Sequence, residues 1–187
     1  MRNCRNGFSV SEHFYGYELE CHGVDNGFAC CGGSVIVTPK LVDSLELIRE
    51  RAESDLLLSG REAHGLRVNR GFSCAAYNKH LGGQSDSHHL TGNAADLNPA
   101  SIGYEDPVEF AVLCVKVGNE QGVIKGVGCY RAGRYQGKST SFVHIQVEEA
   151  RRASMMVGVV GIWGDFPQLQ DYYKRYPELY GIYENRG

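Results

Sequence analysis

The sequence predicts an α+β fold: a small antiparallel sheet that carries the functional residues, backed by helices. Three observations predict it. Two segments open with a capping residue followed by proline and then run apolar at helical spacing. Three short stretches rich in β-branched and apolar residues read as strands. Glycine-rich turns separate them, at spacings that suit a single domain.

The first 37 residues are rich in Gly, Asn and Cys and show little periodicity. They predict an irregular N-terminal lobe with one short apolar element at Ser34-Val35-Ile36-Val37. Thr38 as N-cap and Pro39 at the first helical position then start a helix. Leu41, Leu45, Ile48 and Ala52 form its apolar stripe, and Gly60 ends the segment. Leu66-Arg67-Val68-Asn69-Arg70 alternates and reads as a strand. A short helix from Ala75 to His80 and a glycine turn at Gly82-Gly83 follow. Asp106 caps a second main helix, with Pro107 first and Glu109 third. Its run Phe110-Ala111-Val112-Leu113-Cys114-Val115 predicts a largely buried helix, stopped by Gly118 or Gly122. Gly126 to Tyr130 and Phe142 to Val147 read as a strand pair, joined by the polar loop Arg131 to Thr140. Residues 1–150 make one domain on this reading. Residues 151–187, crowded with Trp163, Phe166 and several tyrosines, make a C-terminal extension docked on it through aromatics.

Ser85 to Asp96 is the densest stretch chemically. His89 and Asp96 are candidate metal ligands, with Gly92 letting the backbone bend between them. If 92–96 is extended, Gly92, Ala94 and Asp96 share one face and leave a shallow hollow. His144, in the apolar strand Phe142 to Val147, is the third candidate, with Gln146 on its face. Two histidines, one aspartate and a water make an open tetrahedral site of the catalytic kind. Such a set also suits iron, although iron triads usually hold a histidine and the carboxylate two residues apart on one strand.

The pattern Ser87-x-His89-x-x-Gly92-x-Ala94-x-Asp96, with Phe142-Val143-His144 much later, resembles the D-alanyl-D-alanine carboxypeptidase family of zinc peptidases. It is most similar to the phage and bacterial branch that trims or cuts cell-wall peptides. Gly71-Phe72, Asn78, Gly82-Gly83 and Gly126-Val127-Gly128-x-Tyr130 belong to the same pattern. The resemblance implies Zn²⁺ held by His89, Asp96 and His144, and a peptidoglycan peptide as substrate.

The chain departs from those relatives in two places. Many carry Asp two residues after the last histidine, where this chain has Gln146. Glu148 is the first candidate for a substitute general base, on the same face as His144 if the strand continues, ahead of Glu149, Asp86 and His88. Relatives also carry Ser-Gly-Tyr/Phe-Arg, whose Arg steadies developing negative charge. This chain reads Arg70-Gly71-Phe72-Ser73, so Arg70 must reach back to serve. Ser87 is expected to fix the turn or support a ligand. His88, if on a strand, would point away from the site. These departures motivate the alternative, a zinc-containing wall-binding or phage structural protein that is catalytically impaired.

Composition limits the remaining options. A net charge of -3 gives no reason to expect nucleic acid. No apolar run approaches the length of a membrane span, and no signal peptide is evident, so wall access would need another export route or a phage particle. The seven cysteines are scattered and odd in number. Cys21, Cys30 and Cys31 with His22 suggest a second metal. Because Cys30 and Cys31 are adjacent and no paired C-x-x-C is present, reduced structural thiols are the simpler reading.

Overall fold

A computed structural model of the chain describes residues 7–133 and 139–148, together with the backbone of 161–164. The N-terminal lobe is mostly irregular. It contains the four-residue helix α1 (Gly16–Leu19), a 3-10 turn at Val24–Asn26 and an isolated bridge from Glu20 to Val35. The long helix α2 (Pro39–Leu58) follows, capped as expected by Thr38, whose hydroxyl accepts from the Leu41 amide. Then come β1 (Arg67–Arg70), α3 (Ala75–His80), a 3-10 turn at His88–Thr91, and β2 (Ala94–Asn98). A one-turn helix α4 (Pro99–Ile102) leads to α5 (Pro107–Gln121), capped by the Asp106 carboxylate. The strands β3 (Gly126–Tyr130), β4 (Phe142–Gln146) and β5 (Gly161–Gly164) complete the described chain.

The sheet order is β1-β2-β4-β3-β5. The first four strands are antiparallel, as the sequence predicts. A fifth strand, β5, lies parallel to β3 at the edge. Of the C-terminal extension only this strand falls within the described residues, so the docking of its aromatics lies outside them. The same holds for residues 134–138 of the loop before β4.

One face of the sheet is the core. Ala95 and Leu97 of β2, Val127 and Cys129 of β3, and Val143 and Ile145 of β4 are fully buried there. They pack with the stripe Leu41, Leu45, Ile48, Ala52 and Leu56 of α2 and with α5. Burying a Leu or Ile side chain contributes about 1.5–3 kcal/mol, so these two layers supply most of the stability. Period two sends the alternate residues to the other face. There lie Ala94 and Asp96 of β2, Phe142, His144 and Gln146 of β4, and Gly126 and Gly128 of β3. The helices leave this second face to the site.

Candidate metal and peptidase site

β2 and β4 pair so that Asp96 and His144 are direct cross-strand partners, and Gly128 of β3 is opposite His144 on its other side. Asp96 Oδ1 approaches His144 Nδ1 at 3.0 Å. His89 arrives from the 3-10 turn that precedes β2. Its Nε2 lies 3.3 Å from Asp96 Oδ1 and 3.2 Å from His144 Nδ1.

These separations test the fit of a metal. Nitrogen and oxygen donors about 2.0–2.1 Å from a tetrahedral zinc ion stand about 3.3 Å from one another. The three donor pairs, at 3.0, 3.2 and 3.3 Å, come within about 0.3 Å of that edge. His89 Nδ1–H donates to the Gly71 carbonyl at 2.7 Å. This bond fixes the tautomer and leaves the Nε2 lone pair for a metal, as the outer hydrogen bond of a ligating histidine does. Burial disfavours a charged His89 ring and outweighs the pull of Asp96, so its pKa lies below the ordinary histidine value. Burial also works against an ionised Asp96, but His89 and His144 outweigh it and hold the carboxyl well below its usual range. A neutral imidazole and an ionised carboxylate are the forms that bind a metal. The side chains of His89 and Asp96 are 3% and 4% exposed, against 13% for His144. The opening is therefore on the His144 side, where Gly128 adds no side chain.

Gly92 shapes the approach, though not as an extended residue. The expectation of a strand from 92 fails because His88–Thr91 forms the 3-10 turn and Gly92 adopts φ 70, so β2 begins only at Ala94. A side chain at Gly92 would stand 2.4 Å from the Ile36 carbonyl oxygen. Ala94 and Gly126 instead flank Gln146 across β4, and Gly128 flanks His144. Asn93, buried at the same bend, ties the turn down. Its side chain accepts from the Thr38 hydroxyl, its carbonyl from the Val147 amide, and its amide donates to His88.

Arg70 reaches the site through a bulge. The β1–β2 register slips by one residue between Val68, opposite Leu97, and Arg70, opposite Asp96. Regular pairing would have put Asn69 opposite Asp96; the bulge turns Arg70 to that face instead. Its guanidinium donates to Ser73 Oγ at 2.8 Å and to Asn78 Oδ1 at 2.7 Å. The cation thus ends beside Ser73, the position where the resemblance places an arginine. Its charge is one of the influences that lower the His89 pKa. A cavity of about 300 Å³ opens next to it, lined by His22, Asn69, Arg70, Tyr77, Thr140 and Phe142.

Ser87 precedes the 3-10 turn and holds it through backbone bonds, its amide to Gln84 and its carbonyl from Leu90, with no side-chain cap. His88 belongs to that turn and not to a strand. It lies 3.8 Å from Glu148. β4 ends at Gln146, so the expectation that Glu148 continues the strand face of His144 is not met. The chain bends there, with the Gln146 amide donating to the Glu148 carbonyl at 3.0 Å. The Glu148 side chain is 58% exposed. Sequence reasoning missed the Gly71 carbonyl as the partner of His89, although Gly71-Phe72 stood in the motif. It also missed Asn93, which carries no motif signal.

The order of these parts along the chain decides the family: residues 12–146 match the model of the Peptidase M15 family. The chain belongs to the Peptidase M15 family. This is the family of D-alanyl-D-alanine carboxypeptidase-like zinc peptidases, and the match ends within β4, at Gln146. No curated protein matches the chain. Among its described residues no helix is long and apolar enough to cross a membrane.

Proposed function

We propose that this M15 peptidase is a zinc enzyme that cuts peptidoglycan peptides, either beside D-alanine or at an internal L,D bond. The observation that carries the reading is the convergence of His89, Asp96 and His144 at zinc-ligand spacing, with one side left open. Zinc, when bound there, supplies a Lewis acid that lowers the pKa of a water from about 15.7 to about 7 and polarises the scissile carbonyl.

The chain's own residues supply the rest. Asp96 and the Gly71-bonded His89 present their lone pairs in fixed directions, and His144 completes the set from the adjacent strand. Arg70 is always charged, and Ser73 and Asn78 hold its planar fork in place. The other N–H groups of that fork are the donors this reading assigns to the developing oxyanion. The cavity between Tyr77 and Phe142 accepts part of the peptide. For the proton, the reading assigns Glu148, which stands next to His88 at the rim. Gln146 cannot take a proton, and its amide is committed to the Glu148 carbonyl. A wall peptide lies beyond the cell membrane, so the reading expects delivery by export or within a phage particle.

Gln146 also favours a second reading, a metal-holding wall-binding or phage structural protein without turnover. One experiment separates the two. Purified peptidoglycan of several wall types is incubated with the protein, and released peptides are identified by mass spectrometry. The enzyme reading expects release that a chelator abolishes and added zinc restores. Co-sedimentation with intact wall, with no release from any wall type, would establish the second reading instead.

A further inference from the structure

A second cluster of metal-binding side chains lies outside the peptidase site. Cys21, Cys30, Cys31 and Cys74 converge where the N-terminal lobe meets the start of α3, with their sulfurs within 4.8 Å of one another. The sequence suggested the first three with His22; the fold brings in Cys74 instead, from 43 positions beyond Cys31, and leaves His22 outside the cluster. We propose that these four thiolates hold a structural zinc ion, separate from the one at His89, Asp96 and His144.

Four observations support this assignment. First, Cys21 Sγ and Cys30 Sγ are 3.7 Å apart. Thiolates about 2.3 Å from a tetrahedral zinc stand about 3.8 Å from one another. A disulfide would bring a pair to about 2.05 Å, and all four of these cysteines are free. Second, backbone amides point at the sulfurs. The Cys74 amide donates to Cys21 Sγ at 3.4 Å. The Gly23 amide also faces Cys21, and the amides of Cys31 and Tyr77 face Cys74. Such donors neutralise part of the charge on metal-bound sulfur and orient it.

Third, the chain makes room for this packing. A side chain at Gly23 would stand 2.4 Å from Cys30 Sγ. Immediately after the adjacent pair, Gly32 and Gly33 have φ 75 and 85, so left-handed backbone follows it. The sulfurs of Cys30 and Cys31 both fall within the one cluster, which answers the objection that neighbouring cysteines do not serve one ion. Fourth, the segment that carries the cysteines has little core of its own. Phe14 and Leu19 of the lobe join the main core, but Cys21 packs in a separate small cluster with Phe72 and Tyr77, and Phe28 and Leu81 lie against it. A cluster that small gains from a metal staple.

The placement also has a functional side. Cys74 follows Ser73, whose amide donates to the His89 carbonyl at 3.1 Å, and Gly71 orients the His89 ring. Four protein donors close this site, in contrast to the three of the peptidase site. Its ion would anchor the short segment 71–74 against which His89 rests.

The test uses the full chain. Metal analysis of the purified protein is expected to give two zinc equivalents. The His89→Ala/His144→Ala variant is expected to keep one, and Cys74→Ser to lose one. Cobalt substitution of the unaltered chain needs no variant to fold. It is expected to give the intense sulfur-to-cobalt charge-transfer band in the near ultraviolet, which a histidine and aspartate site cannot produce. A single zinc equivalent that disappears in the histidine variant, with no sulfur-to-cobalt band, would overturn the proposal and leave the peptidase reading intact. Finding iron at the thiolates, or disulfides by mass spectrometry of the freshly purified protein, would also overturn it. The band with no metal bound at the histidines would support this site while removing the peptidase one.

Discussion

Gly92→Ala tests whether the bend between His89 and Asp96 is held by close packing as well as by conformation. At φ 70 an L side chain carries a strain of about 1–2 kcal/mol. The new methyl carbon would also lie 2.4 Å from the Ile36 oxygen and 2.9 Å from Val37 Cα, both backbone atoms with little freedom to yield. To reach even 3.0 Å the two segments must separate by about 0.6 Å. That movement stretches the bond from the Thr38 amide to the Gly92 carbonyl, now 3.1 Å, and losing it costs about 1 kcal/mol. The sum is about 2–3 kcal/mol, or roughly 4–12 °C of Tm in a chain of this size. The same separation displaces His89 relative to Asp96, so zinc affinity falls by about 10–100-fold, the usual effect of disturbing the support of a ligand. Gly122→Ala is the control. Gly122 has φ 67 but nothing within 4 Å of the added carbon, so it suffers the strain alone, about 1–2 kcal/mol, and keeps its zinc affinity. The assays are thermal unfolding of the chelated protein and competitive zinc titration. Equal Tm losses and unchanged zinc binding in both variants would refute the close-packing argument.

Arg70→Ala should lower peptide release by about 10²–10³-fold with zinc content unchanged, and Arg70→Lys should not restore it, because the fork that bonds Ser73 and Asn78 is lost. A full-rate Arg70→Ala enzyme would remove Arg70 from the mechanism. Glu148→Gln should cost about 10²–10⁴-fold in release with zinc content unchanged; a full-rate variant would exclude Glu148 as the base. Glu46 offers a pH test far from the metal. Burial raises its carboxyl pKa, but the bonds from the His13 amide at 3.1 Å and the His13 ring at 2.8 Å outweigh burial and hold it below the usual value of 4.5. A depressed folded pKa stabilises above the unfolded value and is lost as pH falls through the folded one. Glu46→Gln should therefore cost about 1 kcal/mol near neutral pH, an amount discounted for partial exposure, and this difference should vanish in acid. A cost that grows on acidification would contradict the assignment.

Local signals were sufficient wherever local physics decides the outcome. Thr38-Pro39 and Asp106-Pro107 start α2 and α5 where expected, and Gly122 ends α5 in the left-handed conformation. The alternation in β4 placed His144 on a polar face, and pairing with Asp96 followed. The parts that were not legible depend on distant contacts. Gly92 is left-handed beside the Ile36 carbonyl, which no window around His89 contains. Nothing in Arg67-Val68-Asn69-Arg70 announces the bulge that turns Arg70 toward Asp96. Nor does the apolar run Phe142 to Val147 announce that β4 stops at Gln146, short of Glu148, where the Gln146 side-chain amide bonds the Glu148 carbonyl. Cys74 joins the other thiols only because β1 and α3 return the chain to the N-terminal lobe.

The sheet divides its labour by parity. In β2 and β4 the odd positions, Ala95, Leu97, Val143 and Ile145, meet the helices, and the even positions, Asp96 and His144, face the opening. A slip of one residue in either strand would turn its leucine or isoleucine out to water and its aspartate or histidine in among hydrocarbon. Such an error would abolish folding and chemistry together. The hydrophobic layer therefore acts as a proofreader for the metal ligands: a chain that has packed its oily side has already aimed its ligating atoms.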